Sequence, residues 1–297
     1  MCPVLAQVQG PDSLQRSQAS LTLDSLNSFF THEDSLHIFD MIDSLLRSEP
    51  VEEKSQLALR LGYNSNIAAD NRTFDISKFG LSPGVSYYHK SGAYADLSGY
   101  WSQEYDPDYY LTVTSVGYMH TFKKWYSVLA EYSHYFYHQP SDSTISVPYT
   151  NNLGVSNYLD FKPFVVRLDY YYYFGDKSAH RIIPGVGLNL VKRNWLGLNR
   201  IAFYPSFNMM FGSEQTTVYY TTFLILRARL GQPLSYTDTV FGIMNYGFSL
   251  PISIVKNNWT FLIGYAYNIP VPLPGEDLTL ESSGYLSFSI TRYFNFK

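Results

Sequence analysis

The sequence predicts an all-β fold: a transmembrane antiparallel up-and-down β-barrel of about 12 strands, with a short N-terminal helix. Three observations predict it. Apolar and polar side chains alternate along most of the chain from residue 55 onward. The 297 residues are 18% aromatic but only 15% charged, which is well below the roughly 25% of an ordinary soluble domain. The links between the alternating segments also fall into two sets, one of short turns and one of mostly longer loops.

The alternation itself is clearest in the last strand. Successive side chains of a strand point to opposite faces, so strict alternation indicates two different environments. One face carries Leu286, Phe288 and Ile290, and the other carries Ser287, Ser289 and Thr291. The mean hydropathy is only -0.15, because in a transmembrane barrel the polar half of each strand masks the apolar half. A soluble all-β protein remains the alternative.

Twelve segments follow this pattern in order. They are residues 57–63, 75–89, 93–104, 109–122, 125–137, 152–162, 166–174, 182–190, 201–211, 246–254, 259–267 and 285–296. Pro83, Pro184, Pro205 and Pro251 fall inside such segments, where proline cannot donate a ladder hydrogen bond. The stretch 212–239 has three interpretations: an extra strand pair, a helix, or a loop folded into the lumen.

The connections are a second, independent signal. Links at residues 89–92, 122–125, 161–163, 192–195 and 255–258 are short, whereas those at 66–72, 138–149, 212–239 and 268–283 are mostly longer. Short turns at one rim and long loops at the other are typical of bacterial outer-membrane barrels, whose even strand number also brings both termini to one side. Trp125, Trp195 and Trp259 flank short, Lys-rich links, as expected at a lipid headgroup boundary.

The first 54 residues differ from the rest and define the domain boundaries. Residues 1–6 resemble the end of a signal peptide, since Val4-Leu5-Ala6 has the spacing of a cleavage site. Residues 7–54 form a polar periplasmic leader, and residues 55–297 form the barrel. Within the leader, Leu36, Phe39, Ile42 and Leu46 predict one face of a short helix. This helix either plugs the barrel mouth or contacts a periplasmic partner; alternatively, the whole leader is loosely ordered.

Several motifs carry a family resemblance. The segments 80–92, 204–213, 246–251 and 265–270, together with the aromatic ending, resemble uncharacterised outer-membrane β-barrel proteins of the Bacteroidota type. The resemblance covers roughly residues 35–297. It implies a location in the outer membrane of a Gram-negative bacterium and insertion by the barrel assembly machinery. It supplies no catalytic residues.

Charged residues lie on the polar face of the alternating strands. The lumen-lining candidates are Arg60, Asp96, Glu131, Asp160, Arg167, Asp169 and Arg200. Arg or Lys on the lipid face would cost roughly 2–4 kcal/mol near the midplane, which supports this choice of faces. The mixed signs suit either a paired network filling a closed barrel or a narrow water path. Arg167 and Asp169, two residues apart on one face, are expected to form a local ion pair.

The candidate chemistry is sparse. No catalytic, cofactor-binding or metal-binding residues are predicted, and no cofactor. His134 lies near Ser133 and Glu131, but neighbours along a strand point to opposite faces. The leading function is a narrow, porin-like passive channel or a structural scaffold. The alternatives are a lipid-modifying outer-membrane enzyme and a barrel subunit of a secretion or assembly complex.

Partners follow from the same features. The expected partners are outer-membrane lipid, the barrel assembly machinery and a periplasmic or surface protein. The formal net charge of -4 and the lack of a basic patch argue against nucleic acid.

Overall fold

The computed structural model describes residues 55–65, 80–103, 107–123, 125–138, 149–219, 235–273, 280 and 282–296. The predicted signal remnant, leader and N-terminal helix therefore lie outside the described residues. Among the residues that are described, strands and their connections account for the whole structure, and no helix is long and apolar enough to cross a membrane.

Fifteen strand segments follow one another along the chain. They are β1 Gln56–Asn64, β2 Gly80–Tyr88, β3 Ala93–Trp101, β4 Tyr109–Lys123, β5 Tyr126–Tyr137, β6 Asn151–Phe161, β7 Phe164–Phe174, β8 Ser178–Leu188, β9 Leu190–Trp195, β10 Leu198–Phe203, β11 Ser206–Tyr219, β12 Ser235–Ser249, β13 Ile252–Lys256, β14 Trp259–Pro270 and β15 Ser283–Asn295.

These segments form one closed antiparallel barrel. β1 pairs with β2 on one side and with β15 on the other, and β12 pairs with both β11 and β14. Three long strands are each interrupted once, so that β8 continues into β9, β10 into β11, and β12 into β13. Fifteen segments thus make twelve strands in the described part of the chain, and the predicted fold class is confirmed.

The prolines explain two of the three interruptions. Pro205 separates β10 from β11, and Pro251 separates β12 from β13, since neither nitrogen can donate to the ladder. Pro83 and Pro184 instead lie inside β2 and β8. The sequence alone does not separate these two outcomes.

The ambiguous stretch 212–239 lengthens two existing strands. β11 runs to Tyr219, β12 starts at Ser235, and the two stay in register from Gly212 opposite Gly242 to Tyr219 opposite Ser235. The interpretations as a helix or a lumen loop are therefore wrong for residues 212–219 and 235–239, which do form paired strands but as extensions of β11 and β12. Residues 220–234 lie outside the description.

The two faces of the wall differ as the alternation predicts. Leu59, Leu97, Leu168 and Phe288 point outward and are between 39% and 48% exposed. The alternate positions are mostly buried and rich in Ser, Thr, Asn, Tyr and paired charges. An apolar outer surface around a polar interior is the arrangement of a barrel that spans a membrane.

Both ends of the barrel chain meet at one rim. The amide of Phe296 donates to the carbonyl of Ser55 at 3.0 Å, on the same side as the turns after β2, β4, β6, β9 and β13. Trp125, Trp195 and Trp259 lie beside three of these turns and are exposed. Cations accompany two of the rings, with Lys192 Nζ 4.7 Å from the Trp195 ring and Arg292 5.1 Å from that of Trp259. Such pairs suit a headgroup-level belt.

One hairpin extends beyond its neighbours at this rim. Asn189 donates to the Pro163 carbonyl at 2.6 Å, in the turn between β6 and β7, and β9 begins at the next residue. Among the described strands, β9 pairs only with β10. All six of its residues are exposed, and Leu196 at the tip is 78% exposed. β9 therefore presents, among the described strands, an uncovered strand edge at this rim.

Candidate functional site: the inward face of the barrel

Arg60 and Asp96 lie together on the inward face of β1 and β3. Arg60 Nη2 is 3.6 Å from Asp96 Oδ1 and donates to Ser98 Oγ at 2.7 Å. Ser86 and Ser98 both donate hydroxyl hydrogen bonds to the Asp96 carboxylate. Both charges are therefore paired and hydrogen-bonded, which is what keeps a buried ion pair from being costly.

Glu131 belongs to a neighbouring cluster. The Tyr94 hydroxyl donates to Glu131 Oε2, and Ser133 Oγ donates to Glu131 Oε1 at 3.1 Å. Ser133 is also hydrogen-bonded to Ser115 at 2.8 Å. This cluster runs across β3, β4 and β5 and shares Ser and Tyr donors rather than a cation.

Arg167 and Asp169 form the local ion pair that their spacing predicts. Asp169 is fully buried, and its carboxylate contacts Nε of Arg167. The guanidinium carbon also lies 5.7 Å from the centre of the Tyr158 ring. Asp169 thus fixes one edge of the guanidinium group, while the ring packs against it.

The remaining two predicted residues lie nearer the rim with the short turns. Asp160 accepts a hydrogen bond from the Lys162 amide at 3.1 Å and so stabilises the turn between β6 and β7. Arg200 in β10 is buried, and Tyr204 and Tyr293 lie close enough to interact with it electrostatically. The structure does not bring either residue to the three clusters described above.

A third ion pair was not predicted from the sequence. Arg181 Nη2 is 2.9 Å from Glu214 Oε2, and Glu214 also accepts from the Tyr149 hydroxyl at 3.0 Å. Arg181 lies at an inward-facing position of β8, directly before the outward-facing Ile182. The alternation of β8 could therefore have indicated Arg181 as an inward residue. Glu214 lies in the stretch 212–239, for which the sequence allows three interpretations.

Glycines let the long inward side chains lie flat along the wall. Tyr94 is paired in register with Gly117, which is paired with Glu131 on the next strand. A Cβ at Gly117 would lie within 2.6 Å of the Tyr94 ring and hydroxyl. The ring therefore crosses the glycine to reach Glu131, and it runs along the wall instead of across the lumen.

The same arrangement recurs at three other glycines. A Cβ would meet Arg60 Nη2 at 3.1 Å from Gly84, Tyr171 at 2.7 Å from Gly154, and Arg181 Cδ at 2.7 Å from Gly212. Each long side chain thus covers a glycine on the adjacent strand. This pattern thins the layer of side chains inside the barrel.

Tyrosines dominate one sector of the inner wall. Nine buried residues pack together across β3 to β8: Tyr100, Tyr110, Leu111, Tyr135, Tyr149, Tyr158, Tyr171, Tyr173 and Ala179. The strands β13, β14, β15 and β2 instead carry small buried hydroxyl residues, including Ser253, Thr260, Ser289 and Ser86. The wall is therefore densely aromatic on one side and richer in small hydroxyl residues on the other, where Tyr285 and Tyr293 of β15 are also buried.

His134 does not join Ser133 and Glu131 in a catalytic arrangement. Ser133 is buried on the inward face, whereas His134 lies on the outer side, with its Nδ1 2.8 Å from Asn151 Oδ1. His134 also packs edge-on against the exposed Phe136. Within the described ranges, no group of three His, Cys, Asp or Glu side chains is close enough to hold a metal ion.

Comparison with known proteins gives general likenesses only. No family model matches the chain, and no curated protein matches it. Among solved structures, the chain is similar to the KdgM porin, with 9% identity and a TM-score of 0.45 over 80% of this chain and 99% of that one.

Two further structures are similar to the same degree. The NanC porin gives 14% identity and a TM-score of 0.43 over 80% of this chain and 98% of that one. An outer-membrane channel from Pseudomonas putida F1 gives 10% identity and a TM-score of 0.41 over 84% of this chain and all of that one. At such identities and scores, these likenesses decide nothing about what this chain does.

Proposed function

We propose that this protein is a narrow passive channel of the bacterial outer membrane. The observation that carries the proposal is the arrangement of the long inward side chains. Tyr94, Tyr171, Arg60 and Arg181 lie over glycines along the wall, so these long side chains do not extend across the lumen. Flat side chains leave the barrel axis to water.

The charges of the inward face suit a neutral path. Arg60, Arg167 and Arg181 each have a carboxylate partner on the same face. Paired charges exert weaker long-range fields than separate ones, so the pore is expected to discriminate weakly between simple anions and cations. We propose that the seven residues predicted to line the lumen do line the water path of this channel.

We also propose that the barrel lies in the outer membrane, contacts its lipid and is inserted by the barrel assembly machinery. A single chain that closes an antiparallel barrel with an apolar outer surface, short turns at one rim and paired termini is of the outer-membrane type. Kinship with Bacteroidota-type barrels remains part of the proposal and is supported only by the sequence motifs. So does a periplasmic position for residues 7–54.

Single-channel recording in planar bilayers tests the channel. The refolded barrel is expected to give steady, discrete openings of small conductance in potassium chloride. A reversal potential near zero under a salt gradient is expected from the paired charges. A folded, heat-modifiable barrel that remains electrically silent would contradict the proposal.

One observation favours a second candidate, a scaffold for a periplasmic protein. The uncovered edge of β9 carries exposed Leu190, Val191, Lys192, Arg193 and Trp195. An unpaired strand edge is a template for strand addition, and the two cations favour an extended acidic segment as the added strand. They also oppose pairing of two copies of β9, because like charges would meet.

Site-specific photocrosslinking in cells tests the scaffold. A photoreactive residue at Val191 is expected to give a discrete adduct with a periplasmic protein, and one at the lipid-facing Leu168 is not. The variant Lys192→Glu/Arg193→Glu is expected to abolish the adduct. An adduct that survives this charge reversal, or no adduct at all, contradicts strand addition at β9.

A further inference from the structure

Arg292 is an arginine on the outer face of the barrel. Its neighbours along β15, Thr291 and Tyr293, are 2% and 3% exposed and point inward, whereas Arg292 itself is exposed. It lies opposite Leu59, an outward residue of β1 that is 47% exposed. The arginines of the three ion pairs described above face the other way, into the barrel.

Two aromatic rings flank Arg292, but no acceptor does. The guanidinium carbon lies 5.1 Å from the centre of the Trp259 ring and 4.9 Å from that of Phe294. Rings attract a cation through their faces and do not replace the strong acceptors that its N–H groups require. Within the described part of the chain, Arg292 has neither a carboxylate partner nor a hydrogen-bond acceptor. Its donors are therefore available to an anion.

Lys256 lies on the other side of the same tryptophan. Trp259 pairs in register with Arg292 of β15 and with Lys256 of β13, so the three residues form one row on the outward face. Lys256 is exposed and forms no ion pair with the residues that the structure describes. Adjacent strands are about 5 Å apart, so both long cationic side chains can reach one anion beside the Trp259 ring.

This row lies at the rim with the short turns. Trp259 is the first residue of β14 and directly follows the turn at Asn257 and Asn258. A tryptophan at a strand end marks the level of the lipid headgroups, where an outward arginine costs little. The anionic groups found at that level are lipid phosphates.

The rows next to this one are apolar. The following row toward the middle of the barrel is Ile254, Phe261, Ile290 and Leu61. Ile263 and Phe288 continue the apolar surface in the row after it. A row of cations beside apolar rows matches the order of phosphate and acyl chains in a lipid, whereas a free phosphate ion would use only the cations.

From this arrangement we propose that Arg292, Trp259 and Lys256 bind the phosphate group of an anionic glycerophospholipid in the leaflet at the short-turn rim. The phosphate accepts two parallel hydrogen bonds from the guanidinium group of Arg292, and Lys256 adds a second positive charge. The acyl chains lie against the apolar rows. The site rests on the proposed membrane position of the barrel and not on conduction through its lumen.

Native mass spectrometry of the purified barrel in a neutral detergent measures this binding. The probes are phosphatidylglycerol and a diacylglycerol with the same acyl chains, which lacks the phosphate. At low lipid concentration the wild type is expected to retain one phosphatidylglycerol. It is expected to bind the diacylglycerol at least about tenfold more weakly, because hydrogen bonds to a charged group are lost. Equal binding of the two probes would overturn the proposal.

Variants at exposed positions, which are expected to leave the fold intact, locate the site. Arg292→Gln is expected to weaken phosphatidylglycerol binding by about tenfold, and Lys256→Gln by about fivefold. The control Lys162→Gln removes an exposed cation from the turn between β6 and β7 at the same rim and is expected to change nothing. Equal losses in Lys162→Gln and Arg292→Gln would mean diffuse attraction by the whole rim and would refute a site.

Other occupants of this face give different results. Displacement of the lipid by an equal concentration of sodium phosphate would show that the acyl chains contribute nothing, which contradicts a lipid ligand. A barrel dimer that is lost in Arg292→Gln would place a second copy on this face instead.

The site and the channel fail separately. A barrel that conducts ions but binds both probes equally loses the lipid site and keeps the channel. A barrel that binds phosphatidylglycerol through Arg292 but conducts no ions loses the channel and keeps the site.

Discussion

Gly117 shows how a single missing side chain shapes the interior. The Tyr94 ring occupies the space that a Cβ would take, and its hydroxyl reaches Glu131 one strand further on. The residue types are visible in the sequence, but their pairing is not. It depends on the register of β3 against β4, which is set by long-range contacts.

A larger side chain at Gly117 should displace this ring. Gly117→Val is expected to cost about 1–3 kcal/mol of unfolding free energy, because the added methyl groups overlap the ring. It should also lower the single-channel conductance by pushing Tyr94 toward the axis. Urea unfolding in lipid vesicles and bilayer recording measure the two effects.

Gly185→Ala is the matched control for stability, since its Cβ would make only ordinary contacts. Its unfolding free energy is expected to stay within about 1 kcal/mol of the wild-type value. An equal loss at Gly117 and Gly185 would contradict the interpretation that Tyr94 lies over its glycine.

The ion pair of Arg167 and Asp169 allows a second test at the residue scale. Asp169→Asn leaves the guanidinium group without its counter-charge and is expected to cost about 3–5 kcal/mol. The double variant Arg167→Gln/Asp169→Asn is expected to cost less than the single one. A double-mutant cycle from urea titrations measures the coupling, and additive losses would show that the pair is not coupled.

At the scale of elements, the two-residue period was sufficient to assign faces. Leu97 and Ser98 alternate in β3 as predicted, because strand geometry is local and the two solvents are very different. The interruptions were harder to predict. Pro205 breaks its strand, whereas Pro184 stays inside β8, where no ladder pair joins β8 to β11 between Gly185 and Ile182.

The protruding β9–β10 hairpin was not predicted either. The sequence placed a short link at residues 192–195, whereas β9 extends to Trp195 and the chain turns at Leu196 and Gly197. Alternation identifies strands but not where each one ends relative to its neighbours. That offset belongs to the register of the whole barrel.

The lipid-facing side of a strand is tested by position-dependent charge. Leu97→Arg, near the middle of β3, is expected to cost roughly 2–4 kcal/mol, and Phe161→Arg, at the end of β6 beside a short turn, roughly 0–1 kcal/mol. Unfolding titrations in phospholipid vesicles provide both values. Equal costs at the two depths would contradict the membrane position of the belt.

At the scale of the whole molecule, the apolar exterior and the polar interior both follow from the same alternation of side chains along the strands. The outer side chains dissolve in lipid, and the inner ones satisfy one another across adjacent strands through Ser, Tyr and paired charges. The sequence predicted the barrel, its strand number and the polar phase. It did not predict which inward residues meet, because Arg60–Asp96 and Arg181–Glu214 join residues 36 and 33 positions apart.

Cysteine accessibility shows whether the inward face meets water while the outward face meets lipid. In a Cys2→Ser background, single cysteines replace inward Ala266 and its outward neighbour Tyr265 in β14. With the folded barrel in vesicles, a small charged thiol reagent is expected to modify the cysteine at 266 and spare the one at 265. Modification at 265 with protection at 266 would contradict the account.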